Sequence, residues 1–257
     1  MIRTHGEKPY KAAIVHGGPG ARGSVKALAK ELSKDHGVLE PFQTKYTMGE
    51  LINELKDQIQ QHTDKPLTLI GHSWGAWLSF LFAAEYPQLV KQLVLVSSAP
   101  LQEEYVPLIE KNRRKAVSAE QREVYDNAMA ILRNEKSGDK DAAMQATAYF
   151  LHKSDNYDAV NEAEDEIMLD NKMLYTVLVE ASEMRRRNAL YRKLKDIKCP
   201  VHVIHGDSDP HPFEGVINPL EEQGVDFKGY FLRRCGHTPF KERHAKEEFY
   251  NIMRTII

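Results

Sequence analysis

Several large function classes are excluded by what this sequence has little of. Cysteine is nearly absent: Cys199 and Cys235 are the only two in 257 residues. That is too few for a disulfide framework, and their spacing fits neither a redox pair nor a thiolate metal site. Both are expected as reduced, buried thiols. No apolar run approaches the roughly 18 residues a transmembrane helix requires. The opening residues, Met1-Ile2-Arg3-Thr4-His5-Gly6, contain no hydrophobic core of a secretory signal. Neither sign of charge dominates, with 35 Lys and Arg against 37 Asp and Glu. Without a basic stripe or a polybasic amphipathic segment, neither nucleic acid nor a membrane surface is an expected partner. Internal repeats and low-complexity tracts are also missing. What remains is a cytoplasmic globular chain, long enough for one large core with or without an insertion. Its expected partner is a small-molecule substrate.

The most informative feature present is Gly71-His72-Ser73-Trp74-Gly75, a G-x-S-x-G sequence. Pro66-Leu67-Thr68-Leu69-Ile70 before it reads as a buried strand, and Ala76 to Tyr86 after it reads as a buried helix ending before Pro87. A sharp turn between strand and helix thrusts the serine out at the carboxyl end of a sheet, and the flanking glycines remove side chains that would collide there.

Along the chain, Lys11–Val15 reads as a strand feeding His16-Gly17-Gly18-Pro19-Gly20. A helix is expected from about Gly23 to Asp35, and a short strand over Val38–Phe42, which Pro41 confines to an edge or a strand end. Thr47 and Glu50 have capping-box spacing at the head of a helix reaching Gln61. Val90–Ser97 is a further buried strand. From Leu101 to Lys195 the sequence is charged and helix-forming without a clear strand, and Ser118 and Gln121 repeat the capping-box spacing. Strand character returns at Val201–His205 and Phe227–Leu232, before a last amphipathic helix over Arg243–Ile256. The alternation predicts an α/β fold with a mostly parallel sheet, helices on both faces and a helical insertion. The core then comprises 1–100 and 196–257, and the insertion 101–195 forms a helical cap over the crevice where such sheets bind ligands.

A serine hydroxyl needs a base, and the base an orienting carboxylate. In chain order the sequence offers Ser73, then Asp207 or Asp209, then His237, each after a strand. Rigidly placed loops of this kind converge on one point. At these residues the chain resembles the α/β-hydrolase superfamily over nearly its whole length. The resemblance is carried by His16-Gly17-Gly18-Pro19-Gly20, the Ser73 motif, His205-Gly206-Asp207-Ser208-Asp209 and Gly236-His237, and within the superfamily the first two look most like the capped proline iminopeptidase-type branch. The resemblance implies Ser73 as nucleophile, His237 as general base and Asp209 as the acid, with Asp207 bonding loop amides. It also implies an oxyanion hole made by the backbone N–H groups of Gly18 and Trp74. No metal or cofactor is implied. One departure matters. The usual fold has two further strands before the first glycine loop, and only a stub fits here, so the N-terminal strands are truncated and Val38–Phe42 falls near an edge.

The other residues have plainer expectations. His16, His72 and His205 are structural, Trp77 lies in the core, and Arg185-Arg186-Arg187 is surface. Tyr149, Phe150 and Tyr175 are core rather than pocket. Asp209-Pro210-His211 resembles a metal pair but lacks a third ligand nearby. Between Asp155 and Asp170 stand Asp158, Glu162, Glu164, Asp165 and Glu166 with no Lys or Arg, a run expected as a solvated face, although in iminopeptidase-type relatives cap acids bind the substrate's ammonium. The expected function is a serine hydrolase acting on a small ester, amide or lactone. The alternatives are an aminopeptidase of the proline iminopeptidase type, a carbon–carbon bond hydrolase, and a non-catalytic ligand-binding receptor on the same fold.

Overall fold

Strands that are apolar throughout need cover on both faces, and the chain supplies it by alternating them with helices. The computed structural model describes residues 1–160 and 167–257. Its strands are β1 (Ile2–His5), β2 (Tyr10–Val15), β3 (Ala21–Arg22), β4 (Gly37–Pro41), β5 (Leu67–His72), β6 (Val90–Val96), β7 (Met168–Leu169), β8 (Val201–Gly206) and β9 (Phe227–Leu232). Seven of them form one sheet in the order β1-β4-β2-β5-β6-β8-β9. All are parallel except β1, which runs antiparallel to β4 with Ile2 opposite Pro41 and His5 opposite Val38. β1 is the N-terminal stub, and it places β4 second from the edge. Arg3 and His5 of β1 hold the fully buried Glu40 of β4 at 3.3 and 2.7 Å, so the edge is joined by charge as well as by backbone.

The helices are α1 (Lys26–Leu32), α2 (Met48–Gln60), α3 (Trp74–Glu85), α4 (Val106–Ala116), α5 (Ala119–Leu132), α6 (Lys140–Asp155), α7 (Asn171–Arg186), α8 (Ala189–Lys193), α9 (Glu214–Glu222) and α10 (Lys246–Ile256). Side chains alternate across the strands. Ala13, Val15, Leu93 and Leu95 pack with α2, α3 and α9 on one face, while Ala12, Ile14, Val94 and Val96 pack with α1 and α10 on the other. Each fully buried large apolar side chain contributes about 1.5–3 kcal/mol. Two cap signals form as the spacing suggests. Thr47 Oγ1 accepts from Glu50 N at 3.3 Å, and Ser118 and Gln121 make the reciprocal box at 3.3 and 2.9 Å. α1 starts later than expected, because Gly23 stands at φ +90° and leads in by a turn.

Between β6 and β8 the chain runs through α4 to α8. α5 and α6 pack on each other, with Tyr125 and Phe150 stacked at 3.9 Å. On α7, Met173, Val177 and Ala181 enter the same core as α2 and α3. Arg185 continues that stripe four residues on, so it is buried over Trp77 and paired with Glu103 at 2.8 Å, not on the surface. Tyr175 lies off the stripe and is 75% exposed, and Tyr149, beside the buried Phe150, is also exposed. The segment also carries a strand the sequence did not signal: β7 pairs antiparallel with β3, apart from the main sheet. No helix among the described residues is long and apolar enough to cross a membrane.

Candidate active site

The winding of the sheet reverses between β2 and β5, since β4 lies on one side of β2 and everything from β5 onward on the other. Crevices at such a reversal are where α/β sheets bind ligands. Here the two glycine-containing loops meet. Ser73 follows β5 at φ +55° and ψ −123°, a left-handed position that costs a non-glycine residue energy. Its backbone N–H is tied to Val96 O of β6 at 2.9 Å. The flanking glycines permit close approach: a Cβ on Gly71 would run into Gly75 O and Ala76 Cα, and one on Gly75 into the Val15 and His16 carbonyls. The turn therefore packs directly on the end of β2. Gly17 lies alongside, where a Cβ would stand 3.1 Å from Ser73 Cβ, and Gly18 has φ +62°. Trp74 opens α3, where helical N–H groups lack partners within the helix.

The structure brings Ser73, Asp209 and His237 together and leaves Asp207 aside. His237 Nε2 is 2.9 Å from Ser73 Oγ, and His237 Nδ1 is 2.9 and 3.1 Å from the two carboxylate oxygens of Asp209. An ionised carboxylate only accepts, so Nδ1 carries the proton and Nε2 is left to accept from the serine. Burial opposes charge on His237, but the Asp209 carboxylate outweighs it by charge and hydrogen bond and raises the imidazole pKa above its usual value. Burial also works against the Asp209 carboxylate. The imidazoles of His237, His205 and His211 more than offset it, and the group is held well below the usual carboxylate range. Asp207 Oδ1 accepts from Cys235 N at 3.2 Å and from Ser208 Oγ at 3.0 Å, bracing the loop.

The remaining histidines are buried supports. His72 points away from the serine hydroxyl and donates from Nε2 to His237 O at 2.8 Å. Burial, with His237 beside it, lowers its pKa to about 3. His16 donates from Nδ1 to Gly17 O at 3.2 Å, and burial lowers it to about 4. His205 donates from Nε2 to His211 O at 2.6 Å. Cys235 is buried, its thiol pushed above its usual pKa by burial first and nearby carboxylates second, whereas Cys199 is only half-buried.

One expectation needs correction. Asp209 and His211 do have a third group nearby, because His237 brings ligand atoms of the three within 4.8 Å of one another. Those nitrogens already donate to Asp209, so a metal there would compete with the chain to Ser73. Of the acidic run, the three described acids each have a partner within the protein. Asp155 takes a bidentate bond from Arg113 at 2.7 Å, Asp158 pairs with Arg243 at 3.1 Å, and Asp170 caps α7 through Met173 N at 2.9 Å. Glu162, Glu164, Asp165 and Glu166 lie outside the described residues.

Sequence reading missed how the insertion reaches this site. Asp155 O accepts the backbone N–H of His237 at 2.6 Å, and Asn112 of α4 donates to Pro210 O at 3.0 Å. The fully buried Glu242 carboxylate accepts from Gly236 N, Tyr157 N and Asp158 N at 2.9, 2.8 and 2.7 Å.

Comparison with known proteins agrees with this architecture. The proline iminopeptidase of Lactobacillus delbrueckii subsp. lactis is 24% identical over 95% of this chain and 90% of its own length. Ethanol acetyltransferase 1 of Cyberlindnera jadinii is 29% identical over 40% of this chain, and the match spans only about a third of that relative, 34%. Among solved structures, the crystal structure of VinJ superposes with a TM-score of 0.73 at 17% identity, covering 99% of this chain and 93% of VinJ. The family model described as alpha/beta hydrolase fold matches residues 14–211, and the chain belongs to that family.

Proposed function

We propose that this α/β-hydrolase is a serine hydrolase that cleaves a small ester, amide or lactone through an acyl-enzyme on Ser73. The observation that carries the reading is the unbroken line from Ser73 Oγ through His237 to Asp209, at 2.9 Å on each side of the imidazole. His237 Nε2 takes the hydroxyl proton as Oγ attacks the carbonyl carbon. The tetrahedral oxyanion forms toward the backbone N–H groups of Gly18 and Trp74, which stabilise charge that develops only then. His237 then passes the proton to the leaving alcohol or amine. Water enters, gives its proton to His237 and its oxygen to the acyl carbon, and Ser73 is released. Asp209 stays ionised throughout and holds the imidazolium. The helices between β6 and β8 form the cap that selects the substrate, because the reacting groups are generic and the space above them is not.

An aminopeptidase of the proline iminopeptidase type is the second reading, favoured by the end-to-end similarity to that enzyme. Against it, the described acids of the 155–170 run are already paired within the protein. The test is labelling by a fluorophosphonate with mass-spectrometric location of the adduct, followed by p-nitrophenyl esters and aminoacyl-naphthylamides. The adduct is expected on Ser73, and Ser73→Ala should lose ~10³-fold or more of the activity. Labelling of Ser73→Ala at the wild-type rate would overturn the assignment. Turnover of the naphthylamides alone would favour the second reading, and no labelling at all would point to a receptor.

A further inference from the structure

Asp209 accepts from two imidazoles, and a third, that of His205, stands 3.5 Å from its Oδ2. Its Oδ2 is 2.9 Å and its Oδ1 3.1 Å from His237 Nδ1, and Oδ1 also accepts from the backbone N–H and the ring Nδ1 of His211, both at 2.9 Å. We propose that His211 is a positioning residue for this site, which fixes the plane of the Asp209 carboxylate and divides its charge between two rings. The argument starts from donor inventory. A carboxylate accepts only, so the ring contact from His211 requires its proton on Nδ1. The turn Asp209-Pro210-His211 places that donor, and its middle and last carbonyls are held from outside. His205 of β8 donates to His211 O at 2.6 Å, and Asn112 of α4 donates to Pro210 O at 3.0 Å.

The two rings are not equivalent. Their centroids are 4.4 Å apart with planes inclined by 31°, so charge on one ring opposes charge on the other. The groups facing His211 are Asp209 on its own loop, His205 from β8, His237 from the loop after β9, and Arg113 from α4, itself paired with Asp155 of α6. Burial, His237 and Arg113 push His211 below its usual pKa against the pull of Asp209. His237 is raised instead. His211 therefore remains a neutral donor while His237 takes the proton. Removing that donor leaves more of the carboxylate's charge on His237 and stabilises its imidazolium, so the sign of the effect is upward.

The test is an NMR titration of the His237 ring in the wild type, His211→Leu and His211→Asn. Leucine keeps the branched outline without a donor, and the asparagine amide stands where Nδ1 stands. His237 should titrate ~0.5–1 pH unit higher in the leucine variant and within roughly 0.3 unit of wild type in the asparagine variant. The acid limb of kcat/KM for p-nitrophenyl acetate should move with it. Only this kinetic arm rests on the Ser73 hydrolase reading; an absent turnover with an intact NMR result would fail that reading and leave this one standing. A merely structural role would lower stability without moving the titration. A leucine variant that titrates at or below the wild-type value overturns the proposal. So does nitrogen-15 assignment of the wild type placing the His211 proton on Nε2, a measurement that needs no variant to fold.

Discussion

Gly17 and Gly18 are adjacent, yet they are needed for different reasons. A Cβ at Gly17 would stand 2.8 Å from His72 Nδ1 and 3.1 Å from Ser73 Cβ, so any side chain there displaces the serine. At Gly18 the space is open, with Ala21 Cβ at 3.4 Å, but φ is +62°. A β-branched residue is a genuine outlier in that region, and strain there is of order 1–3 kcal/mol. Gly18→Val relieves it by turning the peptide, and under the proposed mechanism the N–H then leaves the place the oxyanion would take. Losing one such donor costs about 2.7–4 kcal/mol of transition-state stabilisation. The expected result is a kcat lower by ~10²-fold or more, with a smaller change in KM. Steady-state kinetics on an ester, with circular dichroism as the check on folding, measures it. An unchanged kcat in a folded variant means that the second donor lies elsewhere. At this scale Ser73 and His237 were visible in the sequence because a serine and its base are expected after strands, whereas residue chemistry left Asp207 and Asp209 open and only the family resemblance separated them. His211 was visible only as half of a metal pair. Its contact with Asp209 depends on a turn whose shape no residue pattern states.

Elements were legible where one kind of environment runs along their whole length. Apart from exposed Lys11 and Lys91 near the starts of β2 and β6, strands β2, β5, β6 and β8 are mostly buried and read as apolar runs, and α2 and α10 carry single stripes. β1 was not, since Ile-Arg-Thr-His is an edge strand joined to β4 partly by Glu40. α7 misled because its stripe ends in Arg185, a residue type rarely buried, while the tyrosine beside the stripe faces solvent. The least visible feature was the fastening of the insertion to the His237 loop. The His237 backbone is bracketed by Asp155 on its N–H and His72 on its C=O. Glu242 then ties Gly236 to Tyr157 and Asp158. Glu242→Ala strips the acceptor from these three N–H groups, and each such group left unsatisfied on burial costs about 1–3 kcal/mol. The variant should lose about 3 kcal/mol or more of stability. Glu242→Gln, which keeps one acceptor oxygen, should lose less. Urea unfolding of both reads the difference, and an alanine variant as stable as wild type would show that the loop does not depend on this carboxylate.

Across the whole molecule, the support histidines make stability depend on pH in a direction that can be worked out. Burial lowers His16 to about 4 and His72 to about 3, from 6.5 in each case, and His211 moves the same way. Between pH 6.5 and 4 the unfolded chain takes up protons at these positions that the folded chain refuses. Stability therefore falls as pH falls through that window, with each such group contributing a slope approaching about 1.4 kcal/mol per pH unit. His237 does not oppose the trend. Its pKa is raised, so its contribution is fully present below the unfolded value and is lost only as pH rises through the folded one. Asp209 adds to the loss only at more acid pH, because a depressed carboxyl keeps its contribution down to the unfolded pKa of 3.8. Urea unfolding at pH 7, 6, 5 and 4.5 should thus show a decline that steepens below pH 6.5. His16→Phe isolates one share of it. That variant loses the bond to Gly17 O and starts from a lower stability, but its slope between pH 6 and 4.5 should be shallower by roughly 1 kcal/mol per pH unit. Parallel curves for the variant and the wild type would mean that His16 takes up its proton in the folded protein as readily as in the unfolded one.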